Sequence, residues 1–236
     1  MEPRLSWQLS GTNALLRSDA VRLTVDVSKP SAGISSIQIG DCRLPGWSLL
    51  SLEIPSSTSN EPTAEHYVRG SDLIATYLQT PDRTVRPQLY WRAFQAPQTG
   101  VELVVSMQTS LLESRPMVSV GSTLCDGELF RFDGTEFHAA CESVDTDAHL
   151  VVFRANGASF SYVEIIHPTD SEKLHIHVDD QTVTTRFGLF HHDLEKGVIR
   201  KARPWVVIDR SDRELSPDDL QSAWGQLADS PLPLTS

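Results

Sequence analysis

Hydrophobic and polar residues alternate with a period of two along most of the chain. Between positions 21 and 27, valine and leucine at every second position alternate with Arg22, Thr24 and Asp26, the pattern of a strand with one buried face. Similar runs, separated by turn residues, cover 34–39, 49–54, 73–79, 88–93, 101–109, 116–124, 129–132, 150–155, 160–167, 173–178, 182–190 and 198–208. Short strands at this spacing predict a β-sandwich or barrel rather than alternating strands and helices.

One helical pattern occurs near the C-terminal end, at about 216–228. Ser216 is a typical N-cap residue, Pro217 suits the first helical position, and two aspartates follow in the first turn. The next residues place one apolar stripe on the helix, which consists of Leu220, Ala223, Trp224 and Leu227. We therefore predict an all-β fold, a single sandwich domain over 1–236 with one C-terminal helix packed on it.

The charge balance limits the partners that the chain is expected to bind. There are 20 Lys+Arg against 31 Asp+Glu, which gives a formal net charge of −11. Neither nucleic acid nor an anionic membrane surface suits such a chain, because both require a basic face. No apolar run approaches the roughly 20 residues of a spanning helix, and the first ten residues lack the pattern of a signal peptide. We predict a cytoplasmic protein that binds neither nucleic acid nor membrane.

The cysteines and the known short motifs point to no cofactor. Cys42, Cys125 and Cys141 are widely spaced, so their odd number predicts free thiols, with a Cys125–Cys141 disulfide as the alternative. The chain contains no GxSxG or HExxH motif, no glycine-rich phosphate loop and no EF-hand spacing. We expect no cofactor and no bound metal.

Two polar segments in the first half are candidates for ligand binding. In the first, Tyr67 offers a ring for stacking on a sugar, and Arg69 and Asp72 offer charged hydrogen bonds to hydroxyl groups. The alternative is a turn in which the arginine and the aspartate bind each other. The second segment, 80–92, carries the candidates Arg83, Tyr90 and Arg92. A strand there places Gln88, Tyr90 and Arg92 on one face, and the alternative is an ordinary half-solvated strand.

A third segment, 187–203, combines imidazole, carboxylate and guanidinium groups. We predict His192 and Glu195 as an acid–base pair, and His191 and Arg200 as ligand-binding residues. The alternative is a charged hairpin tip whose groups pair with one another. A separate pattern, formed by His175, His177 and Asp179, places three metal-binding residue types on one strand face, although surface strands produce the same spacing.

Several of these segments resemble galactose-mutarotase-like domains. The opening 25–34, a strand that enters a glycine turn, resembles the start of such domains. The segments 67–73, 88–92 and 194–198 resemble uncharacterised bacterial proteins of planctomycete type that contain one. The resemblance implies a large twisted antiparallel β-sandwich, the supersandwich, which binds or epimerises sugars at C1 or contacts sugars inside larger glycosidases. No histidine and glutamate match the family's acid and base motif by motif.

Two functions remain open at this stage. The first is a carbohydrate-binding, mutarotase-like domain, for which the sugar contacts and the 191–195 tip must lie on one face. The second is a nonenzymatic module that binds a protein partner, which requires an exposed apolar patch instead. A metal-dependent enzyme built on His175, His177 and Asp179 is a third alternative.

Overall fold

The computed structural model describes residues 5–18, 20–54, 56, 61–95, 98–190, 192–210 and 215–229. Within these ranges the chain forms 22 strands, one α-helix and a short 3₁₀ helix at Pro30–Ala32. The strands are β1 (Trp7–Ser10), β2 (Asn13–Arg17), β3 (Val21–Asp26), β4 (Ile34–Ile39), β5 (Cys42–Arg43), β6 (Ser48–Glu53), β7 (Thr63–Arg69), β8 (Asp72–Tyr77), β9 (Arg86–Phe94), β10 (Thr99–Gln108), β11 (Glu113–Ser114), β12 (Val118–Cys125), β13 (Gly127–Phe132), β14 (Phe137–Ala139), β15 (Val144–Thr146), β16 (Leu150–Ala155), β17 (Ser161–Ile165), β18 (Leu174–Asp179), β19 (Thr182–Leu189), β20 (Leu194–Glu195), β21 (Ile199–Ala202) and β22 (Trp205–Asp209). The α-helix, α1, spans Pro217–Asp229.

Two large antiparallel sheets form the molecule. The first has the strand order β1-β2-β3-β4-β6-β12-β19-β18-β15, with β5 paired to β4. The second has the order β14-β13-β16-β17-β22-β10-β9-β8-β7, with β21 paired to β10. A two-stranded ribbon, β11–β20, lies outside both sheets. The predicted fold class, an all-β antiparallel sandwich with one C-terminal helix, is confirmed.

The main hydrophobic core lies between the two sheets. It takes alternate residues from most strands, as the sequence pattern predicts, and in β3 Val21, Leu23 and Val25 are buried. On the second sheet the same core receives Leu89 and Trp91 of β9. The indole nitrogen of Trp7 donates a hydrogen bond to the carbonyl of Trp91 (2.9 Å) and so joins edge strand β1 of the first sheet to β9 of the second.

A fully buried polar cluster interrupts this core. Glu164 of β17 accepts hydrogen bonds from Ser122 Oγ of β12 (3.1 Å) and from Thr185 Oγ1 of β19 (2.6 Å), so the cluster joins the two sheets. The hydroxyl groups of Tyr162 and Ser122 are 2.8 Å apart. Burial raises the pKa of Glu164 to about 7, since a charged carboxylate is poorly solvated there.

The outer face of the second sheet is covered over only part of its width. Helix α1 begins with the predicted cap: Asp219 N donates to Ser216 Oγ, and Ser216 Oγ donates to Asp219 Oδ2 (2.7 Å). Its stripe, with Leu220 and Leu227 fully buried, packs in one cluster with apolar residues of β13, β16, β17 and β22. Among the outer side chains of β7 to β10, Phe94 packs against that cluster, whereas Tyr67 and Arg92 remain partly exposed.

The strand boundaries differ from the predicted ones in two informative places. The run 198–208 forms two strands, β21 and β22, because Pro204 between them has no backbone N–H to donate. The carbonyl of Pro204 accepts instead from Leu103 N (2.9 Å). The edge strand β7 was not predicted as a strand. It carries polar residues on both faces, so its composition resembles that of a loop.

Two further features concern the cysteines and the length of the helices. Cys42, Cys125 and Cys141 are all free thiols in the structure, which leaves no disulfide between the last two. Among the described residues, no helix has the length and apolar character needed to cross a lipid bilayer.

Candidate functional site

The outer side chains of β7 to β10, together with neighbouring residues of β21 and β22, form one continuous surface, here called the polar face. Directly opposite residues of antiparallel strands share a face, so the pairing register defines three rows across the strands. The rows are Arg69–Asp72–Arg92–Glu102–Trp205, Tyr67–Ile74–Tyr90–Val104 and Glu65–Thr76–Gln88–Ser106–Lys201. The structure thus brings together five of the predicted ligand-binding residues, Tyr67, Arg69, Asp72, Tyr90 and Arg92.

Arg92 is the centre of the first row and binds a carboxylate on each side. Its Nε and Nη2 donate to the two oxygens of Asp72 (3.0 and 3.3 Å), and Nη1 donates to Glu102 (3.1 Å). The hydrogen bonds to Asp72 raise the pKa of Arg92, so the guanidinium keeps its charge. Arg69, opposite Asp72, is a second cation of this row, so two guanidinium groups stand against two carboxylates and the row has no net charge, which favours a neutral, hydroxylated ligand.

Two partly exposed aromatic rings lie on opposite sides of this charged centre. Tyr67 of β7 is 38% exposed. On the other side Trp205 of β22 packs against Phe94 at 5.4 Å and donates its indole N–H to Glu102 (3.0 Å). The four strand spacings between β7 and β22 correspond to about 19 Å. The face therefore presents a polar centre between two stacking rings, over a width greater than that of one sugar ring.

Tyr90, predicted to bind a ligand, contributes little exposed surface to the polar face. It is buried, and its ring packs with Ile74 and Val104. Its hydroxyl donates to Gln88 Oε1 (2.5 Å), and Gln88 donates in turn to Thr76. Burial raises the pKa of Tyr90, so the phenol stays neutral and acts as a donor. The ring of Tyr90 therefore packs beneath the surface of the polar face and offers little exposed area for stacking on a sugar.

The structure places Arg83 away from the polar face. Its side chain is only 3% exposed and forms an ion pair with the equally buried Glu61. Its Nε also donates to the carbonyl of Leu78 (3.0 Å). These contacts fix the connection between β8 and β9, and they leave the guanidinium inaccessible to a ligand in this conformation.

The predicted acid–base pair is not brought together on the polar face. His192 is highly exposed and lies 3.5 Å from Glu172 Oε1 in a small pocket of about 140 Å³, which Arg200 and Lys201 also line. Glu195 is on β20 opposite Glu113 and does not line that pocket. Lys201, opposite Ser106, belongs to both the pocket and the polar face. The remaining prediction, His191, lies outside the described residues.

The three residues of the metal alternative do not converge. His175 binds Asp145 (2.7 Å) and His177 binds Ser143 (3.1 Å), each through Nδ1. Within the part of the chain that the structure describes, no group of three or more His, Cys, Asp or Glu side chains has the arrangement of a metal site.

Two residues of the first row of the polar face were missed by sequence reasoning. Glu102 lies within the apolar run of β10, and its charge inside a buried strand was the signal that a partner exists. Trp205 follows Pro204 and carries no such signal. Its role depends on the pairing of β22 with β10, about a hundred residues away in the chain.

Comparison with known proteins shows the fold and leaves the activity open. No protein-family model matches the chain, and no curated protein sequence matches it. A putative aldose 1-epimerase from Klebsiella pneumoniae subsp. pneumoniae is 8% identical, with a TM-score of 0.59 over 94% of this chain and 85% of that one. A galactose mutarotase-like protein from Lactobacillus casei is 10% identical, with a TM-score of 0.54 over 82% and 99%. The chain has a mutarotase-like fold.

The same fold also occurs as part of longer chains. A TPR-domain containing protein from Parabacteroides distasonis is 9% identical, with a TM-score of 0.55 over 94% of this chain. This chain spans about half of that protein, 49% of its length. Similarity at these identities extends to the fold alone, and the resemblance to planctomycete-type proteins stays a prediction.

Proposed function

We propose that the polar face binds a neutral carbohydrate, with an oligosaccharide favoured over a single sugar. The observation that carries this proposal is the Asp72–Arg92–Glu102 centre between the partly exposed rings of Tyr67 and Trp205. Sugar hydroxyls need charged or planar polar groups for hydrogen bonds, and sugar C–H faces stack on aromatic rings. The mutarotase-like fold supports a carbohydrate-related role.

We propose binding without conversion of the anomers. The polar face as defined contains no histidine, and two of its three carboxylates, Asp72 and Glu102, are held by Arg92. Interconversion of anomers needs a general acid and a general base that both reach the anomeric centre of the same bound sugar. The predicted pair, His192 and Glu195, lies outside this face. The proposal therefore assigns recognition to the face and no proton transfer.

The test is titration of the purified protein with a panel of neutral mono- and oligosaccharides, followed by calorimetry. We expect Tyr67→Ala to weaken binding about tenfold, because stacking on an aromatic ring is worth on the order of 1 kcal/mol or more. Tyr67→Phe keeps the ring and should bind nearly as the natural protein does. Leu112→Ala, far more exposed and outside the face, is the matched control.

Two results would contradict the proposal. One is the absence of saturable binding of any neutral sugar at high millimolar concentration. The other is a loss of binding in the Leu112→Ala control equal to that in Tyr67→Ala. Polarimetry on α and β anomers is the additional measurement, and acceleration of their interconversion by the protein would reject binding without catalysis.

A second candidate function, a protein-interaction module, has its own supporting observation. Of the seven exposed large hydrophobic residues among the described ones, six belong to segments that the structure joins at one end of the sandwich. This apolar end consists of Leu78, Leu111, Leu112, Met117, Val198 and Ile199. These segments are joined by the pairing of β11 with β20 and by the pairing of Gln108 with Ile199. A hydrogen bond from Ser110 N to Gln79 (3.0 Å) also joins them.

A second copy of the chain is the simplest partner to examine at the apolar end. Sedimentation of the protein over a range of concentrations should show a dimer that Leu112→Ser combined with Ile199→Ser dissociates. A monomer at all concentrations would reject this partner. The double variant should bind sugar as the natural protein does, because the polar face is unchanged. This measurement distinguishes the two functions.

A further inference from the structure

The outer face of the first sheet carries a row of arginines at one end. Directly opposite residues of antiparallel strands share a face, so the pairing register aligns Arg17 of β2, Arg22 of β3, Gln38 of β4 and Arg43 of β5. These four residues are here called the arginine row. The three arginines are exposed, and the three strand spacings between the ends of the row correspond to about 14 Å.

Two turns hold the row in place. One joins β2 to β3 and the other joins β4 to β5, and both lie directly beside the row. In the first turn, Ser18 Oγ accepts hydrogen bonds from Ala20 N and Val21 N (both 3.1 Å). Gly40 N of the second turn donates to the carbonyl of Ala20 (2.8 Å), so the two turns are linked to each other. The backbone that carries the row is therefore fixed at this end of the sheet.

The positive charge of the row is not balanced by neighbouring carboxylates. None of its three arginines forms an ion pair with a described residue, although acidic residues outnumber basic ones in the chain by 31 to 20. Arg17 and Arg22 lie directly opposite each other, and like charges in that position destabilise a sheet. A fourth guanidinium, that of Arg210, lies beside Gly40 in the second turn. An anion bound at the row offsets this repulsion.

Two cavities adjoin the row, one of about 290 Å³ beside the turns and one of about 430 Å³ over β3 to β5. Arg22 and Gln38 line both, so the cavities meet at the row. Thr24 and Ser36 add hydroxyl groups to the larger cavity. Among the described residues that line either cavity, Asp41 is the only acidic one. The combined wall has an excess of positive charge, and its size suits a small ligand.

We propose that the arginine row binds a chain of phosphoryl groups, of which inorganic tripolyphosphate is the simplest example. A guanidinium group donates two parallel hydrogen bonds to an oxyanion, and a phosphate chain carries charge on every unit. An extended acidic peptide fits less well, because side chains on one of its faces repeat every 6.8 Å or so, whereas neighbouring positions of the row are about 4.8 Å apart. The site lies on the other sheet from the polar face and does not depend on carbohydrate binding.

The test is calorimetric titration of the purified protein with tripolyphosphate at low ionic strength. We expect saturable binding, about tenfold tighter than that of inorganic phosphate or of pentaglutamate. Arg22→Gln removes the cation that lines both cavities and should weaken the binding of tripolyphosphate about tenfold. Arg186→Gln is the matched control and should bind as the natural protein does. Arg186 is an exposed arginine on β19 of the same sheet, and Glu53 binds it at 2.7 Å.

Thermal unfolding separates ligand binding from a structural role of the row. Without ligand, Arg22→Gln should melt no lower than the natural protein, because it removes a contact between like charges. Tripolyphosphate should raise the melting temperature of the natural protein. It should leave that of Thr24→Glu unchanged, because this variant places a carboxylate in the larger cavity.

Titration with metal-free ATP distinguishes the two sources of a phosphate chain. Tighter binding than that of tripolyphosphate assigns a nucleotide, and equal or weaker binding assigns the free chain. The proposal is overturned if tripolyphosphate does not saturate, or if inorganic phosphate or pentaglutamate binds equally well. It is also overturned if Arg186→Gln weakens binding as much as Arg22→Gln does.

Discussion

The carboxyl group of Glu164 makes the stability of the sandwich depend on pH in a direction that can be stated in advance. Its pKa rises from 4.5 to about 7 on folding, because it is fully buried and the hydrogen bonds from Ser122 and Thr185 only partly offset the burial. Between these two pH values the folded protein holds a proton that the unfolded chain has released. The folded state is thus favoured at the acidic end of this interval, and the free energy of unfolding falls as pH rises.

The size of this effect follows from the shift itself. Each pH unit inside the interval costs about 1.4 kcal/mol, so the contribution of Glu164 falls by roughly 3 kcal/mol between pH 4.5 and 7. Glutamine has nearly the same shape and no charge. Glu164→Gln should therefore match the natural protein near pH 4.5 and exceed its stability by roughly 3 kcal/mol at pH 8.

Urea unfolding, followed by tryptophan fluorescence at constant ionic strength, measures this difference at several pH values. Glu195→Gln on the exposed ribbon is the matched control, which reports pH effects not connected with the buried cluster. If the difference between Glu164→Gln and the natural protein stays constant from pH 4.5 to 8, the reasoning is wrong. A difference of the opposite sign would mean that the cluster stabilises the charged carboxylate.

Three further perturbations test other contacts of the fold. Arg83→Met should lower the free energy of unfolding by about 3–5 kcal/mol, because it leaves Glu61 buried without its cation. Urea titration measures this change, and a decrease of less than about 1 kcal/mol would contradict the prediction. Gly121→Ala should lower the free energy of unfolding by about 3 kcal/mol or more, because a Cβ there would lie 1.8 Å from the carbonyl oxygen of Thr185. An unchanged melting temperature would show that β12 and β19 move apart easily. Ser216→Ala should cost about 1 kcal/mol through loss of the helix cap, and Ser216→Asp, which restores the acceptor, should recover most of it in the same melting experiment.

The fold was largely predictable because its signals are local. The alternation in β3 and the cap at Ser216 each depend on a few consecutive residues, and both appear in the structure as the pattern indicates. Gln88, Tyr90 and Arg92 share a face for the same reason, since a strand has a period of two. The edge strand β7 was missed because neither of its faces is apolar.

The composition of the site was less predictable because it depends on contacts between distant segments. Asp72, Arg92 and Glu102 meet only through the register of three strands, which no short pattern specifies. Arg83 has the same residue type as Arg92 and stands in an equally polar segment, yet Glu61, 22 residues earlier in the chain, binds it in the interior. Charge and residue type identify a candidate, and long-range pairing decides whether it is accessible.

The position of β22 has a consequence for how the protein acquires its structure during synthesis. This strand follows all the other described strands in sequence and lies between β10 and β17 in the middle of the second sheet. Until residues 205–209 have left the ribosome, the two halves of that sheet have no common neighbour, and each has an unpaired edge of backbone N–H and C=O groups. Nascent chains shorter than this are therefore expected to need a chaperone, because open sheet edges promote aggregation.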